Sequence, residues 1–171
     1  PIHYISARLK DNNLKFYRFT TKDGKSNFYD QDGKSSKKTL MKTPLNGARL
    51  SSGFGNRKHP ILGFTKMHRG IDFAAPIGTP IFAAGDGVIE YSGWNGAYGK
   101  YIRIKHNGTY KTAYAHLSKI LKKRGTRIKQ GDIIGTLGST GRSTGPHLHY
   151  EILIGGRQVN PLRIKFCLLY T

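Results

Sequence analysis

The stretch His147–Ile154, which reads HLHYEILI, decides the fold of this 171-residue chain. The side chains that flank the two histidines and favour a β-strand are Tyr150, Ile152 and Ile154. Residues two apart in a strand point to the same face of a sheet. His147 and His149 are therefore expected to face one cleft, with Glu151 on the same face. An H-x-H pair also occurs on solvated strand faces, so the pair alone leaves that alternative open.

Short strand-like runs recur upstream of this stretch, between glycine and proline residues. They are Gly70–Ala74, Thr79–Ala84, Gly87–Tyr91, Tyr101–His106, Lys111–His116 and Asp132–Leu137. Extended helical periodicity is absent, and only Ser118–Lys123 is predicted to form a helical turn. Closely spaced strands with glycine at the bends predict a mainly β fold, an antiparallel sheet or sandwich. Functional groups are then expected on strand ends and loops.

The first 44 residues differ from the rest, being polar and rich in lysine. The aromatic residues that indicate short strands there are Tyr17, Phe19, Phe28 and Tyr29. Few aliphatic residues are available to build a separate core. The predicted organisation is an N-terminal β appendage or remnant of an upstream module at 1–44, one main domain at 45–163 and a C-terminal tail at 164–171.

The overall charge restricts the partners. The chain has 29 Lys and Arg against 9 Asp and Glu, a formal charge of +20. Such a field steers a protein toward nucleic acid, anionic lipid or an acidic cell-wall polymer, without choosing among them. No run approaches the roughly 20 apolar residues of a membrane span. The lone Cys167 cannot form an intrachain disulfide, and an export signal is expected to have been removed or to lie upstream of Pro1.

A second polar cluster, His68-Arg69-Gly70-Ile71-Asp72, places a histidine and a carboxylate four residues apart. Gly70 and Pro76 indicate a loop that enters a strand rather than a helix, and such a loop can still aim both groups at one point. Together with a histidine of the H-x-H pair they form a three-ligand set. Such a set leaves one tetrahedral zinc position open for water, which is the pattern of catalytic zinc.

His116 stands at a predicted strand end, where it fits a structural role as well as a functional one. A zinc hydrolase needs one group to accept a proton from water and another to stabilise the oxyanion. Because Glu90 and Glu151 are the only glutamates and no H-E-x-x-H is present, histidines are the candidates. Glu151 either orients a ligand histidine or pairs with a surface arginine. The histidines predicted to be turn-associated or terminal are His3, His59 and His106.

Five motifs in residues 45–161 occur in a specific order. They are GFGNRKHP at 53–60, the H-x-x-x-D of His68 and Asp72, APIGTP at 75–80, YAHL at 114–117, and GSTG followed by GPHLHYE within 138–151. In this order they resemble the lysostaphin and LytM type of zinc metallopeptidases, which cut peptide cross-bridges in bacterial peptidoglycan. The stretch from Phe28 through Pro44 is similar to the lead-in found in Gram-negative members.

The resemblance implies one Zn²⁺ per chain, a largely antiparallel sheet and a groove over the metal. The zinc ligands that it implies are His68, Asp72 and His149. The catalytic histidines that it implies are His116 and His147, of which either accepts the proton of water while the other stabilises the oxyanion. These positions match the family pattern, which counts against degenerate relatives that only activate other wall enzymes.

The resemblance further implies zinc-dependent hydrolysis of peptide bonds in peptidoglycan. Because the motifs resemble those of Gram-negative endopeptidases, the expected bond is the D-Ala to diaminopimelate cross-link, with carboxypeptidase trimming left open. The implied location is the bacterial cell envelope, in the periplasm. The expected partners are stem peptides, their cross-links and an anionic envelope surface, but no nucleic acid. The oligomeric state stays open.

Two other classes of function compete with this interpretation. The charge and four aromatic residues near basic ones favour a nucleic-acid-binding domain, although no fingerprint of such a module is present. These aromatic residues are Tyr91, Trp94, Tyr98 and Tyr101. A non-catalytic wall-binding or scaffold module is the second alternative. The turn-and-strand text at Lys129–Gly135 also resembles lipoyl and biotinyl carriers, but those need an exposed hairpin lysine for attachment.

Overall fold

A computed structural model describes residues 3–9, 12–20, 24, 26–29, 40–58, 65–106 and 108–164. The chain divides into two compact units, one before residue 41 and one over Met41–Ile164. The domain boundaries given above stay predictions. His59, Cys167 and all but the first residue of the predicted tail lie outside the described residues.

The first unit contains a three-stranded antiparallel sheet in the order β1-β2-β3. Its strands are β1 (Tyr4–Leu9), β2 (Asn12–Thr20) and β3 (Ser26–Tyr29). The rings of Tyr4 and Tyr17 lie 5.4 Å apart across the first pair, and Phe19 meets the edge of the Tyr29 ring at 6.1 Å across the second. The strands predicted from these aromatic residues are therefore confirmed.

The second unit is built almost entirely of strands. They are β4 (Arg49–Ser52), β5 (Gly55–Lys58), β6 (Thr65–His68), β7 (Ile71–Ala74), β8 (Pro80–Phe82), β9 (Gly87–Trp94), β10 (Lys100–Lys105), β11 (Tyr110–Ile120), β12 (Arg127–Ile128), β13 (Ile133–Leu137), β14 (His147–Ile154) and β15 (Arg157–Val159). Every run predicted as a strand overlaps an observed strand. The strands β9 and β11 extend further than predicted, to Trp94 and Ile120.

Ten of these strands form one antiparallel sheet. Its central order is β12-β9-β10-β11-β14-β7-β4, while β13 joins β11 to β8, and β15 pairs with β14. The strands β5 and β6 form a separate two-stranded sheet. The mainly β, antiparallel fold is confirmed.

One face of the central sheet forms the core. A row of directly paired residues crosses four strands, and all of its members are fully buried. The row is Ile102, Tyr114, Tyr150 and Ile71. Because side chains alternate along a strand, the residues between these core positions point to the opposite face. On β14 those residues are His147, His149 and Glu151, so the core fixes where the polar side chains point.

The helical turn predicted at Ser118–Lys123 is wrong. The strand β11 continues through Ser118, whose hydroxyl donates to the carbonyl of Leu137 at 2.8 Å, and it pairs with β13 as far as Ile120. Pairing with a neighbouring strand outweighs the weak local preference of a short segment. In the described part of the chain, the helical structure is one 3₁₀ turn at Gly96–Tyr98. That part also contains no helix with the length and apolar character needed to cross a membrane.

Candidate metal and catalytic site

Strand pairing brings the two polar clusters of the sequence together. In the register of β7 and β14, His149 lies directly opposite Asp72. His68 is the last residue of β6, and the two residues Arg69 and Gly70 connect it to β7. The sharp connection folds His68 back over the sheet face that carries Asp72 and His149. All three side chains are buried, with 6–7% of each residue exposed.

Three polar atoms of these side chains converge on one point. The carboxylate Oδ1 of Asp72 lies 2.8 Å from Nδ1 of His149 and 3.1 Å from Nε2 of His68. The two imidazole nitrogens are 3.0 Å apart. Ligand atoms at zinc distances of 2.0–2.1 Å in a tetrahedron stand roughly 3.3 Å from one another. The observed spacing is close to that value, so His68, Asp72 and His149 can hold a metal ion.

The outer hydrogen bonds of the two rings test whether a cation belongs at this point. Nδ1 of His68 donates to the carbonyl of Gly53 at 2.6 Å, because a carbonyl can only accept. Nε2 of His149 lies 3.0 Å from the carboxylate of Glu151, which likewise accepts. In the neutral rings, each remaining nitrogen then carries a lone pair. Together with the carboxylate oxygen of Asp72, these two lone pairs form a donor set that fits Zn²⁺.

The local field favours positive charge at the same place. Burial alone would lower the pKa of His149, but hydrogen bonds to Asp72 and Glu151 outweigh burial and raise that pKa to about 9. Burial would also disfavour the charged form of Asp72, yet the imidazoles of His149 and His68 hold the pKa of its carboxyl well below the usual range. Two buried carboxylates flanking one imidazole therefore create an electronegative pocket.

Of the two roles considered for Glu151, the structure favours the orientation of a ligand histidine. Its Oε1 contacts Nε2 of His149 and also accepts a hydrogen bond of 2.7 Å from the hydroxyl of Tyr98. Glu151 is only 2% exposed. The pKa of its carboxyl is lowered, because the bonds from His149 and Tyr98 outweigh the penalty of burial.

His116 lies where β11 exchanges one neighbour for another. Ala115 is the last residue paired with β14, and Leu117 is the first paired with β13. The pairing with β10 shifts register at the same point, and His116 has a φ of 62°, the one positive value among described residues other than glycine. A bulge of this kind turns a side chain away from the regular alternation. The predicted strand end is therefore a bulge within a longer strand.

His116 and His147 lie beside the three-residue cluster. Their ring centroids are 4.6 Å apart, and His116 is 6.2 Å from the ring of His149. Nδ1 of His116 donates to the carbonyl of Thr140 at 2.8 Å, and Nδ1 of His147 lies 2.8 Å from the carbonyl of Gly145. Burial lowers the pKa of His116 to about 4. A neutral His116 thus keeps a lone pair on Nε2.

The structure brings together all five residues predicted for the site. His106 lies apart from it and bonds to the carbonyl of Asp86 and the hydroxyl of Thr112. Sequence reasoning missed Tyr98 and Thr140, which support His149 and His116 from behind. Tyr98 lies outside the five motifs, and a single tyrosine carries no local signal for such a contact. Only the GSTG motif, which contains Thr140, offered an indication.

Comparison with known proteins agrees with this geometry. Residues 66–161 match the family model of peptidase family M23. Peptidoglycan DD-endopeptidase ShyC of Vibrio cholerae is 52% identical over 144 residues, which cover 84% of this chain and 33% of that protein. DD-carboxypeptidase/endopeptidase Mpg of Neisseria meningitidis is 49% identical over 137 residues, covering 79% and 32%. The chain therefore spans about a third of the length of these relatives.

Solved structures extend the similarity to the fold. A zinc-containing peptidase from Vibrio cholerae superposes with a TM-score of 0.72 at 39% identity, over 96% of this chain and 51% of that one. The catalytic domain of lysostaphin from Staphylococcus simulans gives 0.63 at 38% identity, over 69% and 92%. The resemblance deduced from the ordered motifs is confirmed.

Proposed function

Because this chain belongs to peptidase family M23, we propose that it hydrolyses peptide bonds of bacterial peptidoglycan with one bound zinc ion. The observation that carries the proposal is the convergence of three metal-binding atoms within 3.1 Å, beside two further imidazoles. We assign His68, Asp72 and His149 as the ligands. When bound, zinc lowers the pKa of a coordinated water to about 7 and polarises the scissile carbonyl.

His116 and His147 are the proposed catalytic histidines. Both rings direct Nδ1 to a backbone carbonyl, so each leaves Nε2 to exchange a proton. Nε2 of His147 lies 3.9 Å from Oδ1 of Asp72, which places it next to the metal-binding point. One imidazole accepts the proton of the attacking water at Nε2. The other, carrying a proton on Nε2 as well as on Nδ1, donates a hydrogen bond to the oxygen that becomes negative in the tetrahedral transition state.

We further propose the D-Ala to diaminopimelate cross-link as the bond cleaved and the periplasm as the location. Of the two relatives named above, one is a peptidoglycan DD-endopeptidase and the other a DD-carboxypeptidase/endopeptidase. The charge supports attachment to an anionic envelope surface, since no Asp or Glu stands between Glu90 and Asp132. Binding to purified sacculi should then weaken as salt screens the attraction.

Two variants test the residue assignments. His149→Ala should lose both zinc and activity, because it removes one of three ligands. His116→Ala should keep zinc while turnover falls by about 100-fold or more, the scale of losing an acid-base group. Turnover and zinc content are measured on the same samples. Near-normal turnover of His116→Ala would refute the role of this histidine.

Digestion of purified sacculi tests the substrate. The chain is incubated with sacculi, with and without a chelator, and the released muropeptides are identified by mass analysis. Loss of cross-linked dimers with a matching gain of monomers supports the endopeptidase. Release of D-Ala from monomeric stem peptides would show carboxypeptidase activity instead. No metal-dependent product would favour a wall-binding module.

A further inference from the structure

Tyr98 and Glu151 form a hydrogen-bonded pair behind His149. The hydroxyl of Tyr98 donates to Oε1 of Glu151 at 2.7 Å, and the same oxygen lies 3.0 Å from Nε2 of His149. The other carboxylate oxygen is 3.4 Å from the side-chain amide nitrogen of Gln158. A single carboxylate oxygen thus joins the phenol to the imidazole.

Tyr98 also holds His149 through its ring. The two ring centroids are 5.7 Å apart, and the ring of Tyr98 packs in turn on the buried Tyr101 at 5.3 Å. The imidazole is therefore restrained at its edge by Glu151 and beside its ring by Tyr98. Rotating the ring would break both contacts, so the same pair determines where Nδ1 points.

The segment that carries Tyr98 also supports the other side of the site. In this segment, residues 95–100, the carbonyl of Ala97 accepts a hydrogen bond from the backbone N–H of Arg142 at 2.8 Å. The backbone N–H of Lys100 donates to the hydroxyl of Thr140 at 3.0 Å. The carbonyl of Thr140 is the acceptor for Nδ1 of His116.

Two glycines bring these backbones into direct contact. A Cβ added to Gly99 would lie 2.4 Å from the carbonyl carbon of Thr140, and one added to Gly141 would lie 2.4 Å from the backbone nitrogen of Gly99. Both glycines have positive φ, at 64° and 74°. The approach leaves no room for a side chain at either glycine, so the two backbones lie in direct contact.

We propose that Tyr98 and Glu151 are positioning residues for His149, and that the 95–100 segment holds the metal ligand and His116 in one frame. This inference rests on the proposed function, because it takes His149 as a ligand. Glu151 accepts a hydrogen bond from the N–H of Nε2, which keeps the lone pair on Nδ1 and makes Nδ1 a stronger metal ligand. Tyr98 fixes the carboxylate that does so.

Zinc affinity of the full chain tests the proposal without any substrate. Metal-free protein competes with a chromophoric chelator for zinc, in the wild type and in the variants Glu151→Gln, Tyr98→Phe and Tyr91→Phe. Tyr91 is a matched control, because it packs on Tyr101 at 5.7 Å but its hydroxyl donates to the carbonyl of Trp94. Melting temperatures of the metal-free proteins verify the fold.

Removing an outer partner of a metal ligand costs about 10–100-fold in affinity. We expect Glu151→Gln to fall in that range, because the amide keeps the shape and loses the charge. Tyr98→Phe should weaken zinc binding by about threefold or more, since it acts through Glu151. Tyr91→Phe should match the wild type. If Glu151→Gln does not fold, the zinc affinities of Tyr98→Phe and Tyr91→Phe still show whether Tyr98 positions His149.

A double-mutant cycle tests the route through Glu151. Tyr98→Phe should cost less in the Glu151→Gln background than alone, because coupled residues are not additive. Additive losses, or equal zinc affinity of Tyr98→Phe and Tyr91→Phe, would overturn the proposal. A wild type that binds no zinc would overturn the proposed function itself. Wild-type zinc binding with unaffected variants would overturn only the positioning role.

Discussion

Gly70 lies between two of the proposed ligands, His68 and Asp72, and its backbone passes close beneath a third. A Cβ at this position would lie 2.6 Å from the carbonyl oxygen of Tyr150 and 2.8 Å from Nε2 of His149. Atoms do not approach so closely without displacing one another. The glycine is therefore required by the third ligand, although the two are far apart in sequence.

Gly70→Ala should lower zinc affinity by at least about tenfold, because the methyl group pushes the ring of His149 from its place. Gly53→Ala is the matched control. Gly53 also supports a ligand, through its carbonyl, but a Cβ there meets nothing within 4 Å. Chelator competition measures both variants. Equal affinities would show that the ring of His149 has room to move.

His116 occupies the left-handed region with a φ of 62°. That conformation costs an ordinary residue roughly 1–2 kcal/mol, and glycine avoids the cost. His116→Gly should therefore be more stable than His116→Ala by about 1 kcal/mol, although both lose the imidazole. Urea unfolding of the two metal-free variants gives the difference. If the alanine variant is as stable, the bulge relaxes once the imidazole is gone.

Among the elements, β11 contributes most to the site. Its first half pairs with β14, which places Ala115 beside His149, and its second half pairs with β13. The loop after β13 returns to β11 through Thr140, whose hydroxyl donates to the carbonyl of Leu117 at 2.7 Å. The bulge at His116 forms where β14 and β13 diverge, and the loop that carries Thr140 contacts β11 at this point.

Thr140→Val tests this arrangement, because it keeps the shape and removes the hydroxyl that joins Leu117 to Lys100. Each lost hydrogen bond should cost about 1 kcal/mol of stability. Turnover should fall by about tenfold or more, as expected for a misplaced acid-base group, while zinc affinity changes less. Thr140→Ser keeps the hydroxyl and should behave like the wild type. A larger loss of zinc than of turnover would contradict the assignment.

In the second unit, a series of hydrogen bonds runs from the backbone of Ala84 through His106 to the backbone of Asp86. The backbone N–H of Ala84 donates to the hydroxyl of Tyr114, which lies 2.9 Å from the hydroxyl of Thr112. That hydroxyl lies 2.7 Å from Nε2 of His106, whose Nδ1 donates to the carbonyl of Asp86. The hydroxyl protons of Tyr114 and Thr112 both find an acceptor in this series only if Nε2 of His106 carries no proton. This series of hydrogen bonds therefore favours the neutral form of the His106 imidazole.

Stability should consequently depend on pH through His106. Burial lowers the pKa of His106 in the folded protein below its ordinary value of 6.5. As the pH falls below 6.5, the unfolded chain gains the proton first, so the free energy of unfolding decreases. Above that pH both states are neutral and the full stability remains.

Urea unfolding of the metal-free protein at pH 7.5 and 5.5, compared with His106→Gln, isolates this effect from the other histidines. The wild type should lose more stability than the variant between the two values. Equal losses in both proteins would show that protonation of His106 is tolerated in the folded state.

The strands and the metal-binding residue types could be predicted locally. The alternation of side chains along β14 predicted that His147 and His149 share a face of the sheet. Because the chain has only 9 Asp and Glu residues, Asp72 was a conspicuous candidate ligand. The bulge at His116 could not be predicted, because it arises where two partner strands diverge. The roles of Tyr98 and Thr140 were not predicted for a similar reason, since both residues act through contacts between segments that are distant in sequence.

The sequence by itself determined the mainly β fold, the family and the five residues proposed for the site, because alternation and motif order are written along the chain. The tertiary structure decided which nitrogen of each imidazole faces the metal-binding point. The choice depends on the outer partner of each ring, such as Gly53 for His68 and Glu151 for His149. A ring nitrogen is oriented by what lies behind it, and only folding brings that partner into place.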